Sequence, residues 1–181
     1  KEKQLDVLLV SPNASQIIYQ DLASKFSAIE PNIWAMLISG RIRSENFSVQ
    51  IFDAEAEQLN YEEQVKNIWE YNPRLVCFIS YGQQPSSSSQ NMQGVIDCAN
   101  LLKSYYPEYP VMVVGGHCAA EPIGTLKHAC IDFIAQDDGT KCLIDLLRTD
   151  LKTDLIKIKS LGYKNELGFI TLNKKQSALL D

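Results

Sequence analysis

Histidine is almost missing from this chain: His117 and His128 are the only two in 181 residues. A metal centre built from several imidazoles is therefore excluded. Cysteine is present but scattered, at positions 77, 98, 118, 130 and 142, with no two closer than twelve residues. Zinc and iron–sulfur sites bring two ligands in on one tight turn, and no such pair exists here. The equal spacing of Cys118, Cys130 and Cys142 is read as coincidence, and the odd count as reduced thiols that fill the core. Clustered positive charge is also missing. Against 22 acids stand 17 Lys and Arg, giving a net charge of −5 and a pI near 5.1, the wrong sign for a nucleic-acid surface. Only the tail, with Lys152, Lys157, Lys159 and Lys164, is mildly basic. No apolar run reaches membrane-span length, and the start "KEKQLDVLLVSPN" carries no signal-peptide core or cleavage site, so a cytoplasmic protein without a membrane partner is expected. Three chemical signatures are missing too: G-x-G-x-x-G, G-K-[ST] and G-x-S-x-G.

What the chain does contain is ordinary globular material, 45% apolar and 22% charged, in a length suited to one core with an appendage. Five short apolar runs read as buried parallel strands: Leu5 to Val10, Val49 to Phe52, Leu75 to Ser80, Val111 to Val114 and Ile131 to Ala135. Helical patterns alternate with them. Pro31 opens one that places Ile33, Trp34, Leu37, Ile38 and Ile42 at helical spacing. Tyr61, Val65, Ile68 and Trp69 mark a second, stopped before Pro73, and Met92, Val95, Ile96, Ala99 and Leu102 a third, stopped before Pro107. Short helices are expected around Ile123 to His128 and Leu143 to Leu147. This alternation predicts an α/β, Rossmann-like (flavodoxin-like) doubly wound fold: a five-stranded parallel sheet of order 2-1-3-4-5. Beyond about residue 150, "LIKIKSLGYKNELGFITLN" alternates on either side of a turn at Lys164-Asn165-Glu166 and reads as a β-hairpin outside the main sheet. The expected division is 1–150 for the Rossmann-like domain and 151–181 for the hairpin.

In such a sheet a ligand binds at the carboxyl ends of the strands, where the strand order switches. The loop after the first strand, "SPNASQIIYQDLASKFSAIEP", is far longer than the common two to six or so residues, which marks either a functional loop or an insertion shaped for packing. Its start offers Ser11, Pro12 and Asn13. The third loop, "SYGQQPSSSSQ", has no ionisable side chain other than Tyr81 and offers hydroxyls, amides and main chain. It suits a large neutral or polar ligand better than catalysis, although a serine here also serves as a helix cap. The fourth strand ends in Gly115 and Gly116, which allow a close approach of backbone to a ligand, or a tight turn. The fifth ends in "AQDDGTKCL", where Asp137 and Asp138 favour the following helix dipole by position.

As an ordered set these exits resemble the cobalamin-binding domain that precedes the catalytic barrel in B12-dependent radical S-adenosylmethionine enzymes, the methyltransferase and anaerobic cyclase group. The matching residues are Gly115, Gly116, His117, Pro122, Leu126, Asp132, Phe133, Ile134, Asp138 and Thr140, and the likeness covers about residues 5 to 150. It implies a groove for the nucleotide tail of cobalamin lined by Pro12, Asn13, Ser80, Tyr81, Gly82, Gln83, Gly115, Gly116, His117, Asp138, Gly139 and Thr140, with the glycines admitting the tail. The hairpin would be the connector toward the enzyme's own radical S-adenosylmethionine barrel, which in the full-length protein would hold a [4Fe-4S] cluster and S-adenosylmethionine. Three departures stand out. The family's acidic glycine motif appears as Gln136-Asp137-Asp138-Gly139. The D-x-H-x-x-G that supplies a cobalt-ligating histidine in methionine-synthase-like domains is absent, so the lower face of cobalt would take no histidine from this chain. The C-x3-C-x2-C cluster motif is absent too, so this chain alone performs no radical chemistry. The alternative is a flavodoxin-like binding or docking module that has lost cobalamin. A phosphoacceptor receiver is disfavoured because the first exit has no clustered acids, and "SPNAS" is a weak version of a flavin phosphate loop.

Overall fold

The structure, a computed structural model, describes residues 5–13, 32–81, 85–165 and 167–176. Seven strands form one sheet: β1 (Leu5–Ser11), β2 (Val49–Asp53), β3 (Pro73–Ile79), β4 (Val111–Val114), β5 (Phe133–Ala135), β6 (Leu161–Lys164) and β7 (Ile170–Leu172). Their order is β2-β1-β3-β4-β5-β6-β7. The first five are parallel, as expected. The helices are α1 (Ile33–Ser44), α2 (Tyr61–Tyr71), α3 (Pro85–Tyr105), α4 (Gly116–Ala120), α5 (Pro122–Leu126) and α6 (Thr140–Leu147).

Strand periodicity divides the core. Val7 and Leu9 of β1, Leu75, Cys77 and Ile79 of β3, and Met112 and Val114 of β4 point to one face, where α1 and α6 supply Ala35, Ile38, Ile42, Leu143 and Leu147. Leu8, Val10, Val76, Phe78, Val111 and Val113 point to the other, against Val65 and Ile68 of α2 and Val95, Ala99 and Leu102 of α3. Both faces of the parallel sheet are covered, which is why these strands carry near-continuous apolar runs instead of alternation.

The helix boundaries follow local chemistry. Asn60 caps α2 in a reciprocal capping box with Glu63, and Asn72 ends it in the left-handed region at φ 49°, the conformation that asparagine tolerates best after glycine. Pro73 then opens β3, a strand position at which no donor is needed. Helix α1 starts at Ile33 with Asn32 as its cap, and Pro31 lies outside the described residues. The helix expected around Ile123 to His128 is α5, with Pro122 in its first turn, and a further short helix, α4, precedes it across Glu121. The serine run 86–89 falls within the start of α3.

One expectation is corrected. The C-terminal hairpin does not lie outside the sheet: β6 pairs antiparallel with β5 through Phe133↔Tyr163, Ile134↔Gly162 and Ala135↔Leu161, and β7 continues it. The reason is that β5 would otherwise be an open edge with unpaired main-chain groups. Gly162 permits the pairing, because a Cβ there would lie 2.7 Å from Ile134 Cγ1 and 2.9 Å from Leu172 Cδ2. A second correction concerns α1. Of the five apolar positions expected on its buried stripe, Ile38 and Ile42 are buried, whereas Ile33, Trp34 and Leu37 are exposed. Ala35 and Ser39 complete the inner face instead.

Candidate functional site

The switch in strand order lies between β1 and β3, and the described helices that follow them, α1 and α3, pack on opposite faces of the sheet. At the β1 exit, Ser11 Oγ accepts a hydrogen bond from Asn32 Nδ2 at 2.8 Å, while Asn32 Oδ1 accepts from the Ala35 amide and caps α1. The Ser11 carbonyl accepts from the Ala54 amide, and Asn13 Nδ2 donates to the Leu59 carbonyl at 3.2 Å. Ser11, Pro12 and Asn13 are buried. They tie the β1 exit to α1 and to the loop after β2, forming a fixed floor for the crevice.

At the β3 exit the Ser80 amide donates to the Val114 carbonyl at 2.7 Å, extending the sheet by one bond beyond Ile79. The half-buried Tyr81 ring stacks on Trp34 of α1, with centroids 4.5 Å apart and planes 22° from parallel. This pair forms an aromatic wall on the α1 side. Burial first, then the neighbouring Cys118, Asp138 and Asp137, holds the Tyr81 phenol protonated well beyond the usual range. Gly82 and Gln83 lie outside the described residues.

At the β4 exit, Gly115 is extended (φ 163°, ψ 170°) and buried. Its missing side chain has a cause inside the chain: a Cβ would stand 2.3 Å from the Ser80 carbonyl oxygen. Gly116, by contrast, is exposed, and His117 is half-buried on α4. At the β5 exit, the Asp137 and Asp138 carboxylates accept from the amides of Gly139 and Thr140 at 3.0 and 2.9 Å. These bonds satisfy donors at the start of α6, the structural role expected of the aspartates. Gly139 has φ +84° and packs directly on Val114, and Thr140 opens α6. Gln136 Nε2 donates to the Asn173 carbonyl at 2.9 Å, so the chain leaving β7 passes beside this exit.

The described exits thus converge on one edge, which carries hydroxyls, amides, two aromatic rings, the His117 imidazole and the carboxylates of Asp137 and Asp138, with no lysine or arginine at the positions named. Asp132, a residue of the resemblance, and His128, the second histidine, lie elsewhere. Asp132 sits at the opposite end of β5, where it accepts from Lys103 Nζ at 2.7 Å and the Val111 amide at 2.8 Å. His128 is exposed, and its carbonyl accepts from Lys164 Nζ at 2.9 Å, again at the far edge. Among the described residues no group of three His, Cys, Asp or Glu could hold a metal ion. Trp34, which periodicity picked only as a helix position, is a site residue that sequence reasoning did not assign. Its signal was present, since Met36 and Gly40 leave the first part of α1 without a polar outer face.

A B12 binding domain, as a family, matches residues 19–147, well over half of the chain. The chain belongs to the B12-binding domain family. Solved structures share its fold. The cobalamin-dependent S-adenosylmethionine radical enzyme OxsB, with aqua-cobalamin and S-adenosylmethionine bound, matches with a TM-score of 0.73 and 16% identity over 97% of this chain and 23% of that one. The radical S-adenosylmethionine methyltransferase TsrM from Kitasatospora setae, with cobalamin and a [4Fe-4S] cluster bound, matches with a TM-score of 0.70 and 17% identity over 99% of this chain and 30% of that one. This chain therefore spans only 23% and 30% of the length of these two neighbours. No curated protein matches the sequence. Hydroxyl and amide groups at this edge fit the family's cofactor, a large macrocycle rimmed by neutral amides, as hydrogen-bond partners, while the Asp137 and Asp138 carboxylates are engaged by main-chain amides. No described helix is long and apolar enough to cross a membrane.

Proposed function

We propose that this chain is the cobalamin-holding module of a larger B12-dependent radical S-adenosylmethionine enzyme of the methyltransferase or cyclase type, working in the cytoplasm. In this reading residues 1–150 hold the cofactor, and residues 151–181 connect toward the enzyme's own barrel, which carries the [4Fe-4S] cluster and S-adenosylmethionine. The observation that carries it is the gathering of hydroxyl, amide and main-chain groups at the strand-order switch beside the Trp34–Tyr81 stack. Hydroxyls and amides at Asn13, Ser80 and Thr140 and the bare backbone at Gly116 would hold the cofactor. Tyr81, Gly115, His117, Asp138 and Gly139 would shape its walls, with Pro12 beneath. Cobalamin supplies the group-transfer or redox chemistry when bound. This chain's part is to orient the cofactor and keep water from one of its faces. With His128 at the opposite edge and no histidine in the segment directly after β1, the β1 exit would offer the cofactor a surface and no histidine.

Titration with hydroxocobalamin, followed by desalting, tests the reading. Retained corrin absorbance is expected. Emission from a Trp69→Phe variant, in which Trp34 is the remaining tryptophan, should be quenched as cobalamin is added, because in this reading the aromatic wall would face the bound cofactor. No retention by the 181-residue chain or by a longer polypeptide containing it would sink the proposal.

A further inference from the structure

Helix α1 is apolar on both sides as far as Gly40, with the exposed Arg41, Arg43 and Ser44 confined to its last turn. Its inner face buries Ala35, Ile38, Ser39 and Ile42. Its outer face carries Ile33, Met36 and Leu37, which are 65%, 56% and 63% exposed, followed by the exposed Gly40. These four stand at i, i+3, i+4 and i+7, a second complete helical stripe, and no charged residue interrupts the helix before Arg41. A helix covering the edge of a lone domain presents polar and charged groups there, whereas a helix apolar all round is buried on all sides. Gly40 sharpens the point. Glycine weakens a helix interior relative to alanine, yet a Cβ at this position would meet nothing within 4 Å. No neighbour among the described residues requires it. A bare position at the end of an apolar stripe is what a second backbone needs where two helices cross closely.

The location narrows the occupant. Helix α1 begins at the crevice, because its cap Asn32 is bonded to Ser11 at the β1 exit, and Trp34 joins the stripe to Tyr81 at the β3 exit. The stripe is continuous with the cofactor rim, the edge that a catalytic partner must approach. The structural neighbours have three to four times more chain than this one, since it covers 23% and 30% of them. We propose that the outer face of α1 is the seat for an apolar helix from the catalytic part of the same polypeptide, with Gly40 at the crossing point. This rests on the reading that the chain is one module of a longer enzyme.

Thiol labelling tests it, because the five native cysteines are buried and stay silent in folded protein. Leu37→Cys reports the stripe, and Lys66→Cys, at a side chain 74% exposed on α2, is the control. In the 181-residue chain both should label quickly. In the full-length polypeptide Leu37→Cys should slow at least about tenfold relative to the control, as for a site reached only by local opening, and adding Gly40→Leu should restore fast labelling. Equal labelling in the full-length polypeptide overturns the proposal. So does protection already present in the 181-residue chain: if it vanishes on dilution a second copy is the cover, and if it persists the chain covers itself. Corrin absorbance of the same samples is read separately. Its loss with protection intact defeats the cofactor reading and leaves the docking face standing.

Discussion

The space that a side chain on Gly115 would need is filled by the main chain of Ser80, whose carbonyl oxygen and carbon would lie 2.3 and 2.7 Å from a Cβ. Main chain at the end of a buried strand cannot swing aside as a flexible side chain can. Gly115→Ala must therefore push the β3 and β4 exits apart, at a cost of about 1–3 kcal/mol. Gly116 is exposed and lies outside the left-handed region, so Gly116→Ala should change stability by less than about 0.5 kcal/mol while weakening cobalamin retention. Urea denaturation paired with corrin absorbance separates the two. Unchanged stability of Gly115→Ala would show that the exits are not packed this way.

The parallel sheet was legible because buried parallel strands need continuous apolar runs, and VMVV or LVCFIS have no other use. Sheet order and the crevice followed from the alternation. Three features were not legible. The hairpin's alternation is the same whether it pairs with β5 or stands apart, and only the side-chain space around Gly162 decides it. On α1 two apolar stripes overlap in one sequence, so periodicity picked residues from both, and the truly inner Ala35 and Ser39 look unremarkable. At the two glycines, sequence suggested an approach by ligand, whereas for Gly115 the approaching backbone belongs to Ser80. The site was legible as a location, less so in its parts: Asp132 belongs to the ordered motif but works at the other end of β5.

That placement of Asp132 has a measurable consequence. Its carboxylate takes the Lys103 ammonium and the Val111 amide, joining α3 to the starts of β4 and β5, while Lys103 also donates to the Tyr109 carbonyl at 2.7 Å. Asp132→Ala leaves partly buried donors without their acceptor, which costs about 1–3 kcal/mol. Because this junction is at the edge opposite the crevice, cobalamin affinity of the folded fraction should stay as it was. A variant that lost affinity while keeping its stability would move Asp132 into the binding site.

The buried thiols make stability sensitive to alkali. Burial pushes the thiol pKa of Cys98 and Cys118 from the ordinary 9 up to about 12, and raises those of Cys77, Cys130 and Cys142 as well. A folded-state pKa above the unfolded value means that the stabilisation is whole below pH 9 and is lost as pH rises through 9 toward the folded-state value, because only the unfolded chain releases the proton. Each such thiol lowers stability by about 1.4 kcal/mol per pH unit once the unfolded thiol is fully ionised. Lys164 acts the other way, its pKa lowered chiefly by burial, but it is one group against several. Denaturation midpoints should therefore fall between pH 8 and pH 10, and Cys98→Ala and Cys118→Ala should each flatten the slope while costing stability at pH 8 through lost packing. A midpoint that stayed level to pH 10 would mean that these sulfurs reach water, contrary to their burial on the two faces of the sheet.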